Sequence, residues 1–198
     1  MGQVGAMSGD FWLDWAILAV SLFNTILSLW LGLTVLLSAE RRSWGIWLAG
    51  SGLLMSGAFF VSHTAILGHG LHDASQGMDF WWRVGWWPVV AAPLAWYVLM
   101  LWHTGFWAEP RSPLRRRQRP WLWLMILLAV SLVGLLLFAN PLPSYTQVTQ
   151  LKLSATPAIG GLPLLILVYP LYIVLCVILS LDALWRPGPV GRVMGDKR

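Results

Sequence analysis

Five long apolar runs divide this sequence and decide what it can fold into. They cover residues 12–37, 44–68, 80–107, 121–138 and 162–184. Each is close to the ~20 residues that a helix needs to cross a bilayer core of roughly 30 Å. Only 11% of the residues are charged, whereas a soluble domain carries about 25%. We therefore predict an all-α integral membrane protein, with five transmembrane helices in a single domain.

The basic residues predict an orientation because they gather in alternate connections. Eleven of the 13 lie after runs one, three and five: Arg41, Arg42, Arg111, Arg115, Arg116, Arg117, Arg119, Arg186, Arg192, Lys197 and Arg198. Cytoplasmic connections are enriched in Arg and Lys. The N-terminus is therefore predicted outside and the C-terminus in the cytoplasm, with an Arg-rich loop at 108–120 and a basic tail at 185–198. A bacterial inner membrane suits this multi-pass topology.

The overall charge of +5 does not indicate nucleic acid binding, because the basic residues flank apolar spans and are explained by the orientation of the chain in the membrane. The 15 Trp gather at the run ends, which is typical of an aromatic belt at the membrane interface. Membrane lipids and other membrane-protein subunits are the expected partners. The arginines at 111, 115, 116, 117 and 119 would attract anionic lipid or dock a partner.

Small and polar residues predict close packing between the first two spans. On the second run they are Gly45, Ala49, Gly52 and Ser56; on the first they are Ser21, Asn24 and Ser28, followed by Gly32. Small residues let helix backbones approach closely in lipid. At the inner helix ends, Asp182 is expected to pair with Arg186.

His63 lies about 8 Å inside the second span end at 1.5 Å per residue, where ionisable side chains usually have a partner. Asp14 and Arg83 are its candidate partners. Pro88 and Pro93 kink the third span and Pro163 and Pro170 the fifth, beside Tyr97, Tyr169 and Tyr172. The sequence leaves two readings open: a structural hydrogen bond at His63, or an outer-leaflet ligand pocket formed by His63, Arg83, Asp14 and Tyr97.

A second histidine group follows the second span. His69, His72 and Asp73 could hold Zn or Cu, although their H-x5-H-x2-H-D spacing matches no standard ligand pattern. The alternative is a set of histidines that face water. The sequence requires no cofactor; a quinone, pigment or haem remains open.

Catalysis has little support, since the sequence shows no Ser/His/Asp arrangement, redox Cys pair or phosphate-binding loop. The segments that suggest a family are WLDWAILAVSLFNTILSLWLGLTVLLSAERRSWGIWLAG, FFVSHTAILGHG and WWRVGWWPVVAAPLAWYVLMLWH. They resemble the multi-span N-terminal input regions of bacterial sensor histidine kinases and related signalling phosphatases. The resemblance covers about half the chain. It implies a membrane sensor, here expected to be a stand-alone module because only 186–198 follow run five, and it transfers no functional residues.

The function expected from the sequence is non-catalytic. The leading hypothesis is a membrane protein that acts through helix–helix contacts, either as an accessory subunit of a respiratory or photosynthetic complex or as a sensor-like module. The alternative is a binder of a small molecule or cofactor near His63. A small transporter component is the third hypothesis.

Overall fold

The computed structural model describes residues 11–39, 44–70, 75–138, 158–159 and 162–187. Its five helices are α1 (Phe11–Leu37), α2 (Trp44–Gly70), α3 (Ser75–His103), α4 (Pro113–Phe138) and α5 (Leu164–Trp185). Two antiparallel two-residue strands, β1 (Ala158–Ile159) and β2 (Leu162–Pro163), precede α5. All five helices are long and apolar enough to cross a membrane. The predicted all-α class, with five apolar helices, is confirmed.

The helices alternate in direction, and α3 is the central one. Ser21 early in α1 contacts His63 late in α2, and Gly45 early in α2 faces Trp102 late in α3. Helix α3 packs against α2, α4 and α5, while α1 packs against α2. Among the described residues, α2 and α5 have little or no direct contact. The bundle is thus two groups of three helices that share α3.

We name the two ends of the bundle by their residues. The arginine end, where α4 begins, carries Arg115–Arg119. The histidine end, where α2 ends, has His63 within the last two turns of that helix.

Burial along α1 is the reverse of burial along a helix of a soluble protein. Its buried residues are polar or small: Asp14, Ser21, Thr25 and Gly32. Its large apolar side chains point outward, with Trp12 80%, Phe23 63% and Trp30 61% exposed. Such surfaces are stable only in an apolar solvent. Burial therefore agrees with the helix lengths in indicating a multi-pass membrane protein.

The small residues of α2 that contact α1 are Gly50 and Gly57, of which Gly57 extends the strip of small residues that the sequence indicates. A Cβ on Gly50 would lie 2.5 Å from Leu36, and one on Gly57 would lie 2.5 Å from Leu29. On α1, Ser21 is buried, whereas Asn24 and Ser28 are half-buried. The predicted α2 strip turns away from α1: Gly45 faces α3, and Ala49, Gly52 and Ser56 line a hollow.

The largest buried apolar side chains belong to α3, α4, α5 and the α3–α4 connection. They include Tyr97, Leu101, Phe106, Leu114, Met125, Leu132, Leu165, Tyr172 and Cys176. The α1–α2 pair adds no buried apolar residue to this core within the described chain. One half of the bundle is therefore held by apolar packing, and the other by close approach of small residues and by hydrogen bonds.

The α3–α4 connection is shorter than the predicted loop at 108–120. Helix α3 ends at His103 because Gly105 adopts φ 84° and the Phe106 N–H donates to the Leu101 carbonyl at 3.0 Å, a typical helix C-cap. Ser112 then caps α4, accepting the Arg115 N–H at 3.2 Å. With proline at the first helical position, the arginines from 115 to 119 lie on α4.

Candidate functional site

The segment of α3 that contains Pro93 is tied to α5 by two tyrosines. Pro93 has no N–H, so the Val89 carbonyl, four residues earlier, loses its helical donor. The Tyr169 hydroxyl donates to that carbonyl at 3.4 Å. The Tyr172 hydroxyl donates to the next carbonyl along α3, that of Val90, at 2.9 Å. Tyr169 thus supplies the hydrogen bond that Pro93 removes from the helix, as helices in lipid require, and Tyr172 adds a second tie between α5 and α3.

A hollow of about 640 Å³ lies between α2 and α5, over α3. We call it the apolar groove. It is lined by Leu48, Ala49, Gly52, Leu53, Ser56, Phe59, Pro88, Val89, Ala92, Pro93, Ala95, Trp96, Leu99, Tyr169, Ile173, Cys176 and Val177. Small side chains on α2 and α3 leave this space: a Cβ on Gly52 would find no other side chain or helix within 4 Å among the described residues. Its volume falls in the range of small-molecule sites, about 300–1,000 Å³.

A smaller cavity of about 310 Å³ adjoins the groove toward the histidine end. We call it the aromatic cavity. Its lining is Phe59, Ser62, His63, Ile66, Trp82, Gly85, Trp86, Val89 and Tyr169. Phe59, Val89 and Tyr169 line both spaces. The two spaces therefore adjoin: aromatic side chains prevail in the lining of the smaller one, and aliphatic side chains in that of the larger.

His63 is the imidazole of this cavity, and its first partner is on α1. Its Nδ1 lies 2.9 Å from the Ser21 hydroxyl, which in turn lies 2.8 Å from the Thr64 hydroxyl. The ring stacks on Phe59 with centroids 5.8 Å apart. The structural hydrogen bond and the cavity position that the sequence offered as alternatives are both present.

The other members of the predicted ligand pocket lie elsewhere. Arg83 is exposed and lines neither space, and Asp14 is buried on α1, two turns before Ser21. Tyr97 lies toward the arginine end, where its hydroxyl donates to Gln118 Oε1 at 2.8 Å. Of the four predicted pocket residues, His63 alone lines the aromatic cavity. The other positions around it are largely aromatic, and one of these, Tyr169, is indicated in the sequence by its place beside a proline.

A chain of polar side chains closes the arginine end. The Gln118 amide, fully buried, donates to Asp182 Oδ2 at 2.5 Å. Arg117 Nε donates to the same oxygen at 2.9 Å, and the Arg117 guanidinium also reaches the Arg186 carbonyl at 3.3 Å. The ion-pair partner of Asp182 is therefore Arg117 and not Arg186 as expected. Nothing in the sequence pattern singles out Gln118, since it lies among arginines.

The five predicted docking arginines separate into two sets. Arg117 is held by Asp182, and the Arg115 guanidinium lies 6.0 Å from the centre of the Phe106 ring. Arg111, Arg116 and Arg119 are exposed. Only these last three keep the character of a docking surface.

The predicted metal group lies largely outside the described residues. His72 and Asp73 fall between 70 and 75, and for His69 only its position in α2 is described. Within the ranges that the structure describes, no three His, Cys, Asp or Glu side chains cluster as metal ligands would.

Comparison with protein-family models, with curated proteins and with solved structures finds no match for this chain. The resemblance to sensor input regions therefore stays a prediction. What the fold defines is the class: a five-helix bundle whose length and apolarity fit a multi-pass membrane protein. Within that class, this chain is distinguished by the groove over the proline-containing α3 and the aromatic cavity that adjoins it.

Proposed function

We propose that this protein binds a lipophilic small molecule, whose tail lies in the apolar groove and whose head lies in the aromatic cavity. The observation that carries the proposal is that the two spaces adjoin at three shared lining residues, Phe59, Val89 and Tyr169. The imidazole of His63 lines the aromatic cavity, whereas aliphatic side chains prevail in the groove, an arrangement that suits a molecule with a ring at one end and an alkyl chain at the other. The protein acts by binding and not by catalysis.

The dimensions of the hollow support a long-tailed ligand. Eighteen residues of α2 separate Leu48 from Ile66, which is about 27 Å along the helix axis. A tail lying parallel to the helices would follow the direction of the surrounding acyl chains. The arginines gather at the opposite end of the bundle, which predicts that the histidine end faces outward. The head of the ligand would then lie in the outer leaflet.

Filling the groove tests this function. Leucine at position 52 would occupy the hollow, whereas leucine at position 134 enters open space on α4, since a Cβ on Gly134 also meets nothing within 4 Å among the described residues. We expect native mass spectrometry in a mild detergent to show a bound small molecule on the wild type and on Gly134→Leu. Gly52→Leu should lose it. Equal occupancy in the two variants would contradict the proposal.

A second candidate is the membrane module that acts through protein partners, as an accessory subunit or a sensor-like input. The observation that favours it is the exposed set Arg111, Arg116 and Arg119, which has no ion pair within the described chain and would face the cytoplasm in the proposed orientation. The same mass spectra test it: a second polypeptide at fixed stoichiometry would support the module, and a bare chain after gentle extraction would count against it.

A further inference from the structure

The hydrogen bonds around His63 can run in two orders, which place the hydrogen of the neutral ring on different nitrogens. The Thr25 hydroxyl donates to the Ser21 carbonyl at 2.9 Å, so its hydrogen is used. If Thr64 donates to Ser21, and Ser21 donates to His63 Nδ1, both hydrogens follow the short contacts of 2.8 and 2.9 Å. The reverse order would leave the Thr64 hydrogen to a 3.3 Å contact with Thr25. The short-contact order makes Nδ1 an acceptor, so the neutral ring carries its hydrogen on Nε2.

That Nε2–H is available to a ligand. Within the described chain the hydrogen bond of His63 is made by Nδ1, and every buried side-chain nitrogen or oxygen there has a partner. Nε2 is therefore at an accessible surface, on a residue that lines the aromatic cavity. The cavity thus offers a hydrogen-bond donor to an acceptor such as a carbonyl oxygen.

The rest of the lining selects a neutral, flat head. Neither the cavity nor the groove is lined by Asp, Glu, Lys or Arg, so an anionic headgroup would be buried without a counter-charge, which is costly. Trp86 packs edge-on against Trp82 at 5.8 Å and Tyr169 at 5.4 Å. Aromatic walls of this kind favour another ring, by stacking or by edge-to-face contact.

We infer that the ligand is of the quinone type: a neutral ring whose carbonyl oxygen accepts a hydrogen bond from His63 Nε2, and whose alkyl tail lies in the apolar groove. This inference rests on the proposed function and specifies its ligand. The lining argues against the other classes, because a phospholipid head would bring an unpaired charge and a hydrocarbon would leave the Nε2–H without an acceptor.

The test uses the full chain in nanodiscs of zwitterionic lipid, titrated with decylubiquinone and followed by quenching of tryptophan fluorescence. His63→Phe removes the donor but keeps a ring, and we expect it to weaken binding about tenfold, the loss of one good hydrogen bond. Thr25→Val is the matched control, because it removes a hydroxyl at the same α1–α2 contact and leaves the imidazole and its Ser21 hydrogen bond in place. It should lose much less affinity. His63→Gln, which restores an N–H donor, should recover part of the loss.

The outcomes separate this inference from the proposed function. If His63→Phe and Thr25→Val weaken binding equally, the donor role of His63 is wrong. If the wild type does not bind decylubiquinone, while native spectra show another molecule that Gly52→Leu removes, the groove function stands and the quinone assignment is overturned. If Gly52→Leu removes nothing and the quinone does not bind, both fail.

Discussion

Alanine at two glycines of α2 should change stability in opposite directions. Gly45 and Gly52 lie two helical turns apart in the strip of small residues, and the sequence gives them the same role. In the structure, a Cβ at position 45 would lie 2.2 Å from the ring of Trp102, whereas one at position 52 would meet no side chain or other helix within 4 Å among the described residues. The two substitutions add the same methyl group to very different surroundings.

The expected magnitudes follow from these distances. Alanine in place of glycine inside a helix stabilises by roughly 0.5–1 kcal/mol through lower backbone entropy cost, and Gly52→Ala should show this gain in full. At position 45 the ring of Trp102 must move, and overpacking of this kind costs about 1–3 kcal/mol. Position 45 is also the second residue of α2, where the propensity gain is small. Gly45→Ala should therefore lose about 1–2 kcal/mol net.

Both variants can be measured by unfolding in the same detergent, with tryptophan fluorescence as the signal. The free energy of unfolding should rise for Gly52→Ala and fall for Gly45→Ala. Trp102→Leu in the Gly45→Ala background should recover part of the loss, because the shorter side chain leaves room for the methyl group. If both single variants shift stability in the same direction, the assignment of Gly45 to the α3 contact and of Gly52 to an open groove is wrong.

Two further predictions concern the polar contacts of α5. Arg117→Ala should lower the free energy of unfolding by about 1–2 kcal/mol, because it leaves the half-buried Asp182 carboxylate without its cation; the exposed neighbour Arg116→Ala is the control and should change little, and equal losses would argue against the ion pair. Tyr172→Phe should cost about 1 kcal/mol by removing a 2.9 Å hydrogen bond to α3, whereas Tyr169→Phe, whose bond is 3.4 Å long, should cost less; the reverse order, measured by the same unfolding assay, would contradict the geometry.

The helices could be predicted from the sequence because lipid imposes a length and a composition on any helix that crosses it. The boundary of α4 could not, although its signals are present. Ser112 followed by proline is a helix start, but the arginines that follow suggest an exposed loop. They remain helical because arginine is a good helix former, and because Asp182 on α5 takes the charge of Arg117.

The faces of α2 were harder to predict than its ends. In water, the apolar side of a helix points to the core and fixes its rotation. Helix α2 is apolar nearly all round, and lipid attracts apolar side chains as well as a protein interior does. The rotation is set instead by a few specific contacts: Ser21 with His63, and Leu29 against Gly57. Neither contact can be derived from spacing alone, whereas the depth of His63 sufficed to single it out.

Apolar side chains gain little by moving from lipid into a protein interior, and this also explains how an apolar hollow persists in a small bundle. In water, the groove between α2 and α5 would close, because the hydrophobic effect drives apolar surfaces together. In lipid that drive is missing, so the separation of the two halves depends on where they are tied. The ties on the α5 side are the tyrosine hydrogen bonds near Pro93 of α3 and the Tyr97–Gln118–Asp182–Arg117 chain at the arginine end. Helix α3 belongs to both halves, so its position fixes the width of the groove. The sequence features that look like defects in α3, two prolines with small residues between them, are therefore what gives this bundle room for a ligand.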